Sequence, residues 1–167
     1  MLFYVEADDH HSTQSRTKMS GGLALTDDDR WPWLDTLCEV VNRRGDQLAG
    51  QFASCDTSLH IYLACSCLKR TYRDVFRQRL RYPVRFIYLN ISEHRAQQRA
   101  AARVAHFMPA SLVASQFAAL EAPTHHERAD APSDVLVLDG DMDRSALLAM
   151  AIEALAHEAR HETGHDI

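Results

Sequence analysis

The chain has 167 residues, 46% of them hydrophobic, with a formal charge of −5 and a pI near 6.0. That size and composition imply one domain with a core of its own. The acidic balance excludes nucleic acid as a bulk electrostatic partner, and no run approaches the roughly 18 apolar residues of a membrane span.

In chain order, Leu2–Val5 is a short apolar run suited to a buried strand, ending at Glu6-Ala7-Asp8-Asp9. Residues 12–30 are mostly polar and read as loop or a short helix. Pro32 suits the first turn of a helix whose apolar face is Leu34, Leu37, Val40 and Val41. Residues 43–58, with Gly45, Gly50, Ser54 and Asp56, read as a surface loop. Leu59–Cys65 is a continuous apolar stretch broken by His60, the pattern of a strand buried on both faces. Leu68, Tyr72, Val75 and Phe76 mark the next helix, Pro83 stops it, and Val84–Leu89 is another strand. Ser92 is an N-cap for Glu93–Arg103. Val113, Phe117 and Leu120 form a further helical stripe, residues 122–133 are turn-like, and Val135–Leu138 is the last strand. Leu147, Leu148, Ala151, Ile152 and Leu155 define the final helix. Strands alternating with helices imply right-handed βαβ units and a mostly parallel sheet. Ligands in such sheets sit beyond the carboxyl ends of strands, just after Val5, Cys65 and Leu89 here.

The four cysteines (Cys38, Cys55, Cys65, Cys67) lack the spacing of a disulfide framework, which indicates reduced thiols and a cytoplasmic protein. The start, Met-Leu-Phe-Tyr-Val-Glu, does not fit a signal peptide.

Three constellations carry chemistry. Glu6-x-Asp8-Asp9-x-His11 follows the first strand; one carboxylate can take a proton from an attacking hydroxyl while another orders a metal's water shell. The alternative is a solvated acidic turn. Cys65-Ser66-Cys67-Leu68-Lys69, then Tyr72-Arg73-Asp74, sits where a strand hands over to a helix. Ser66 could cap that helix, whose free N–H groups suit an anion, with Lys69 and Arg73 four residues apart; a capped amphipathic helix with solvated cations is the plainer reading. Cys65 and Cys67 lack a nearby third ligand for zinc. Arg95, Arg99 and Arg103 share a helical stripe ahead of His106, where a polyphosphate would relieve their repulsion, or salt would screen it. A fourth pattern, His157-Glu158-Ala159-Arg160-His161, matches H-E-x-x-H. It lies too near the last residue to gain a downstream ligand, and a charged helix end accounts for it better than zinc hydrolysis.

Taken together, the chain resembles the gluconate kinase (gluconokinase) family. The resemblance runs through Ala7-Asp8-Asp9-x-His11; Lys18-Met19 with Gly22-x-x-Leu25-Thr26-Asp27-x-Asp29-Arg30-x-Pro32-Trp33-Leu34; Ala64-Cys65-Ser66-x-Leu68-Lys69-x-x-Tyr72-Arg73-Asp74; Arg99-x-x-x-Arg103-x-x-His106-Phe107-Met108-Pro109; and Gln116-Phe117-x-x-Leu120-Glu121-x-Pro123. It covers nearly the whole chain, in family order.

The resemblance implies an α/β fold, the three-layer parallel sheet of P-loop nucleoside monophosphate and shikimate kinases, and transfer of the ATP γ-phosphate to the 6-hydroxyl of D-gluconate. It makes Asp8 the base, with Glu6 helping to order Mg²⁺. His11, Arg30, Ser66, Lys69 and Arg73 become the residues that hold the polyol and its carboxylate. Arg103, with Arg99 and His106, becomes the lid that closes over the transferring phosphate. It implies a domain over 1–156, with the lid at about 99–109 and an inserted loop at about 43–58, followed by a charged tail, 157–167. Gluconate and ATP are the partners, and a homodimer is the oligomer to look for.

Departures accompany the matches. Ser12 and Ala24 stand where relatives usually carry Pro, and Ala105 where they carry Gly. No G-x-x-x-x-G-K-[ST] occurs in the 167 residues, although such a loop's backbone N–H groups and Lys hold nucleotide phosphates. Relatives carry a first strand, that loop and a first helix ahead of the segment equivalent to Phe3. Without that strand the sheet would have a hole between 59–65 and 84–89. Buried unpaired amides would each cost about 1–3 kcal/mol, against a total stability of about 5–15 kcal/mol, so the expectation is a chain that folds poorly, repacks or is completed by something else. A non-catalytic relative that keeps polyol binding, or pairs with another subunit, is the alternative.

Overall fold

The computed structural model describes residues 2–53, 59–102, 111–129 and 134–162. It is a mixed α/β protein in the order β1 (Leu2–Glu6), a 3₁₀ turn (Ala7–His10), α1 (Thr13–Ser20), α2 (Asp27–Gln51), β2 (His60–Ala64), α3 (Arg70–Arg79), β3 (Phe86–Asn90), α4 (Glu93–Ala101), α5 (Leu112–Ala119), α6 (His125–Ala129), β4 (Val135–Asp139) and α7 (Arg144–Glu162). All pairing among the described residues is parallel: β1 with β2, Val5 opposite Leu63, and β3 with β4, Tyr88 opposite Val137. The described strands form two two-stranded sheets. The chain divides into two compact units, residues 1–84 with 100–122, and residues 85–99 with 123–167.

The first unit is organised by α2. Thr26 and Asp29 form a reciprocal capping box at its start, where three acidic residues also suit the positive end of the helix. Trp33, Leu34, Leu37, Cys38, Val41, Gly45 and Leu48 recur at three- and four-residue spacing and are all buried. They pack the helix against its unit along one stripe. Pro32 lies in the second turn rather than the first. The carbonyl it leaves without an amide partner belongs to exposed Asp28, where water can serve it. The expectation of a loop from 43 is corrected: α2 runs on to Gln51, and residues 54–58 lie outside the described part. Gly45 lies inside the helix, and the Tyr82 ring packs where its Cβ would stand, so its lack of a side chain serves close approach.

Ser12, one of the departures from the family pattern, caps α1 by accepting the Ser15 amide at 3.1 Å. Gly22 takes a positive φ of 77° in the turn that follows, a conformation glycine adopts without strain. Lys18 Nζ reaches Asp29 at 2.6 Å and joins α1 to the start of α2. β2 is not buried on both faces as its apolar run suggested: Ile61–Ala64 are only half-buried, because β1 is its one strand neighbour among the described residues.

In the second unit, Ser92 caps α4 as expected, accepting the Arg95 amide at 3.4 Å. The segment read as turn-like contains the short helix α6. Leu148 and Ile152, expected to define the face of α7, remain 61% and 59% exposed. No helix among the described residues is long and apolar enough to cross a membrane.

Candidate active site

The site begins where β1 ends. The chain leaves Glu6 in a 3₁₀ turn that carries Asp8 and delivers His11 two residues after Asp9. Ala7 is 1% exposed, and its carbonyl accepts the Trp33 Nε1–H at 2.9 Å. The turn is thereby pinned to α2. The His11 ring lies on the Trp33 indole, centroids 4.3 Å apart and planes 13° from parallel. Its Nε2 stands 3.8 Å from an Asp8 oxygen. The His11 side chain is 4% exposed and that of Asp8 23%. Burial, with the Arg30 and Arg16 cations adding to it, pushes the imidazole down to about 4, so it is neutral near pH 7.

Ser66 reaches the same place from the end of β2. Two successive tight bonds, Cys67 N–H to the Cys65 carbonyl at 2.9 Å and Leu68 N–H to the Ser66 carbonyl at 2.8 Å, turn the chain sharply there. Asp8, His11, Arg30, Trp33, Ser66 and Gln116 line one small cleft, open to solvent, with Met19 and Leu25 as its apolar wall. A carboxylate, a neutral imidazole, a hydroxyl and an amide can pair with several hydroxyl groups, while Arg30 supplies positive charge for an anion.

Four of the expected residues, Asp8, His11, Arg30 and Ser66, therefore converge. Two others do not line this cleft. Lys69 is the residue preceding α3, and its Nζ binds both Asp27 oxygens at 2.7 and 2.8 Å. The Tyr72 hydroxyl donates to the same carboxylate at 2.6 Å. Lys69 holds Asp27 below its usual carboxylate range, with Tyr72 assisting, and is itself raised by the pair. Arg73, 4% exposed, donates to the Glu121 carbonyl at 3.1 Å and the Cys67 carbonyl at 3.5 Å, and ties α3 to the segment after α5.

Ser66 does not cap α3, as the sequence suggested: the Glu121 carboxylate takes the Arg70 amide at 2.8 Å instead. The negative group at that helix end comes from the protein itself.

Glu6 accepts the Tyr4 hydroxyl at 2.5 Å. Arg99 donates to the Met142 carbonyl at 3.1 Å, while Arg103 and His106 lie outside the described residues. No cluster of three His, Cys, Asp or Glu suited to a metal occurs among the described residues. The H-E-x-x-H stretch falls on the last turns of α7. Cys38, Cys65 and Cys67 are free thiols.

Trp33 and Gln116 belong to the site although chemistry did not single them out in the sequence. Their signal in the sequence is their place in the family motifs, Trp33 three residues after Arg30 and Gln116 beside Phe117.

The curated relatives are gluconokinases. A probable gluconokinase of Xenopus tropicalis is 32% identical over 171 residues, spanning 90% of this chain and 85% of the relative. The chain belongs to the gluconokinase family. Members of this family are ATP-dependent carbohydrate kinases. A probable gluconokinase of Schizosaccharomyces pombe is 38% identical over 128 residues, covering 75% of this chain and 62% of the relative. Among solved structures, an unliganded sugar kinase from Janibacter superposes with a TM-score of 0.74 at 38% identity, covering 93% of this chain and 80% of that one. A gluconokinase from Sinorhizobium meliloti gives 0.72 at 31%, covering 98% and 83%. No protein-family model matches the chain. Within the gluconokinase family, then, the cleft at the ends of β1 and β2 is the candidate active site.

Proposed function

We propose that this gluconokinase relative binds D-gluconate in the cleft around Asp8 and serves transfer of the ATP γ-phosphate to the 6-hydroxyl of the sugar acid, in the cytoplasm, on a three-layer parallel sheet of the nucleoside-monophosphate-kinase type. The observation that carries the reading is the convergence of Asp8, His11, Arg30 and Ser66 on one small cleft.

In this reading Asp8 takes the proton of the 6-hydroxyl as the oxygen attacks phosphorus. Neutral His11 accepts from a second hydroxyl, Ser66 pairs with a third, and Arg30 faces the carboxylate. Arg103, with Arg99 and His106, supplies positive charge where the migrating phosphoryl spreads its own over three oxygens. Lys69 and Arg73 act behind the cleft, one balancing Asp27 and the other fixing α3. Mg²⁺ keeps most of its waters and needs only one or two carboxylates beside substrate phosphates. Glu6 would hold it through water, and the ion would neutralise phosphate charge.

The 167 residues contain no G-x-x-x-x-G-K-[ST], the loop whose backbone N–H groups and Lys hold ATP's phosphates in such kinases. We therefore infer that this polypeptide by itself binds gluconate but turns over slowly. The same observation favours, as a second reading, a gluconate-binding partner for another subunit. Calorimetric titration with D-gluconate and a coupled ADP-release assay on the 167-residue chain test both parts. The expected result is saturable gluconate binding, weakened by His11→Ala, with turnover far below the roughly 1–100 per second of ordinary kinases. Absence of gluconate binding would refute the site, and a normal rate would refute the slow turnover.

A further inference from the structure

We propose that Trp33 is a positioning residue of this site: its indole seats His11 and ties the Asp8 turn to α2, so that His11 Nδ1 accepts a hydrogen bond from a hydroxyl of a polyol substrate. The proposal rests on the reading of the cleft as a polyol site and adds the residue that orders it.

The starting observation is an orphan. His11 Nδ1 is buried without a hydrogen-bond partner among the described residues, in a side chain only 4% exposed. Buried polar atoms in folded proteins are paired as a rule, and an exception calls for a reason. The other ring nitrogen, Nε2, faces an Asp8 oxygen at 3.8 Å. A neighbouring carboxylate favours the proton on Nε2, which leaves Nδ1 as an acceptor. His11 lines the cleft together with Asp8 and Ser66. An acceptor there takes an alcohol O–H and rejects a carboxylate, and so reads the polyol rather than the acid end of the substrate.

An acceptor discriminates only if its ring cannot turn away. The indole is the surface that fixes it: 4.3 Å between centroids, planes 13° apart, in a residue itself 4% exposed. The same indole donates Nε1–H to the Ala7 carbonyl at 2.9 Å, one residue before Asp8. One side chain thus sets both the plane of the imidazole and the base of the turn that carries the carboxylate. Hydrophobic burial alone would require neither the near-parallel stacking nor the directed hydrogen bond.

The test uses the 167-residue chain labelled with ¹⁵N-histidine, observed by NMR with and without D-gluconate, alongside calorimetric titration, for wild type, Trp33→Phe and Trp33→Leu. Wild type should show His11 in the Nε2–H tautomer, with the Nδ1 signal moving on addition of gluconate. Trp33→Phe keeps a ring under His11 but loses the bond to Ala7; it should retain the tautomer and bind gluconate about 2–10-fold more weakly, the range for one lost hydrogen bond. Trp33→Leu should show mixed tautomers and a larger loss. A folded Trp33→Leu variant with the wild-type tautomer and affinity overturns the proposal. If that variant does not fold, Trp33→Phe decides, and unchanged affinity together with unchanged exchange of the Asp8 amide overturns it. Failure of wild type to bind gluconate removes the site and this proposal together, whereas equal binding by all three proteins removes only the role of Trp33.

Discussion

The His11 imidazole lies almost flat on the Trp33 indole, with one nitrogen 3.8 Å from Asp8 and the other buried without a hydrogen-bond partner among the described residues. The pair joins the end of β1 to α2 and places a neutral ring beside a carboxylate in a small cleft.

His11 should make stability depend on pH. Its value is about 4 in the folded chain against 6.5 ordinarily. Between those two values the unfolded chain binds more protons, so stability rises with pH. The contribution is complete above the upper value and gone below the lower one. At about 1.4 kcal/mol per pH unit across that interval it amounts to about 3–4 kcal/mol at most. Urea unfolding of wild type and His11→Gln across this window checks it: the variant should lose most of the slope, and an unchanged slope would place the titration elsewhere.

Arg30 and Lys69 should differ as ligands for the sugar acid. Arg30 lines the cleft, whereas Lys69 is bound to both oxygens of Asp27. Arg30→Met should weaken gluconate binding by about tenfold or more, the worth of a charged hydrogen bond. Lys69→Met should cost less than about threefold in affinity and little in stability, since the pair is partly solvated. Calorimetric titration with gluconate ranks the two, and a larger affinity loss for Lys69→Met would contradict the arrangement.

Arg73 should behave as a structural cation. Its removal leaves the carbonyls of Glu121 and Cys67 short of a charged donor inside the unit. Arg73→Met should destabilise by about 2–4 kcal/mol in urea unfolding. A variant as stable as wild type would show that those carbonyls find other donors at no cost.

Gly45 and Tyr82 should be coupled. A Cβ at 45 would collide with the Tyr82 ring, whose hydroxyl is held by Asp46 at 2.8 Å. Gly45→Ala should therefore be neutral or destabilising in the wild-type background. In a Tyr82→Ala background it should stabilise by about 1 kcal/mol, the ordinary helical advantage of alanine. A double-mutant cycle measures the difference, and equal effects in both backgrounds would contradict the contact.

Much of the fold is legible in local pattern. Leu2–Val5, Leu59–Cys65, Val84–Leu89 and Val135–Leu138 each overlap an observed strand, because apolar runs bounded by polar residues have few other ways to be buried. The 43–58 segment misled because Gly45 and Gly50 read as breakers; inside α2, the Tyr82 ring close against Gly45 favours a residue without a side chain. The site was legible in part for a similar reason. Asp8, His11 and Ser66 stand beside strand ends, which periodicity can locate, whereas Arg30 comes only from the family resemblance. Trp33 stands in the sequence only within the family motif, with no role read for it; in the fold it is buried, and its Nε1–H and its face both serve the turn beside it.

By itself, the order of residues determined the strand–helix alternation and the family, since both live in short stretches of spacing and type. Tertiary structure alone decided which charges are spent inside the protein and which face the cleft. Asp27 lies 42 residues from the Lys69 it neutralises, and Arg73 lies 48 from the carbonyl of Glu121. Pairings over such distances follow from how helices pack, which no local pattern encodes.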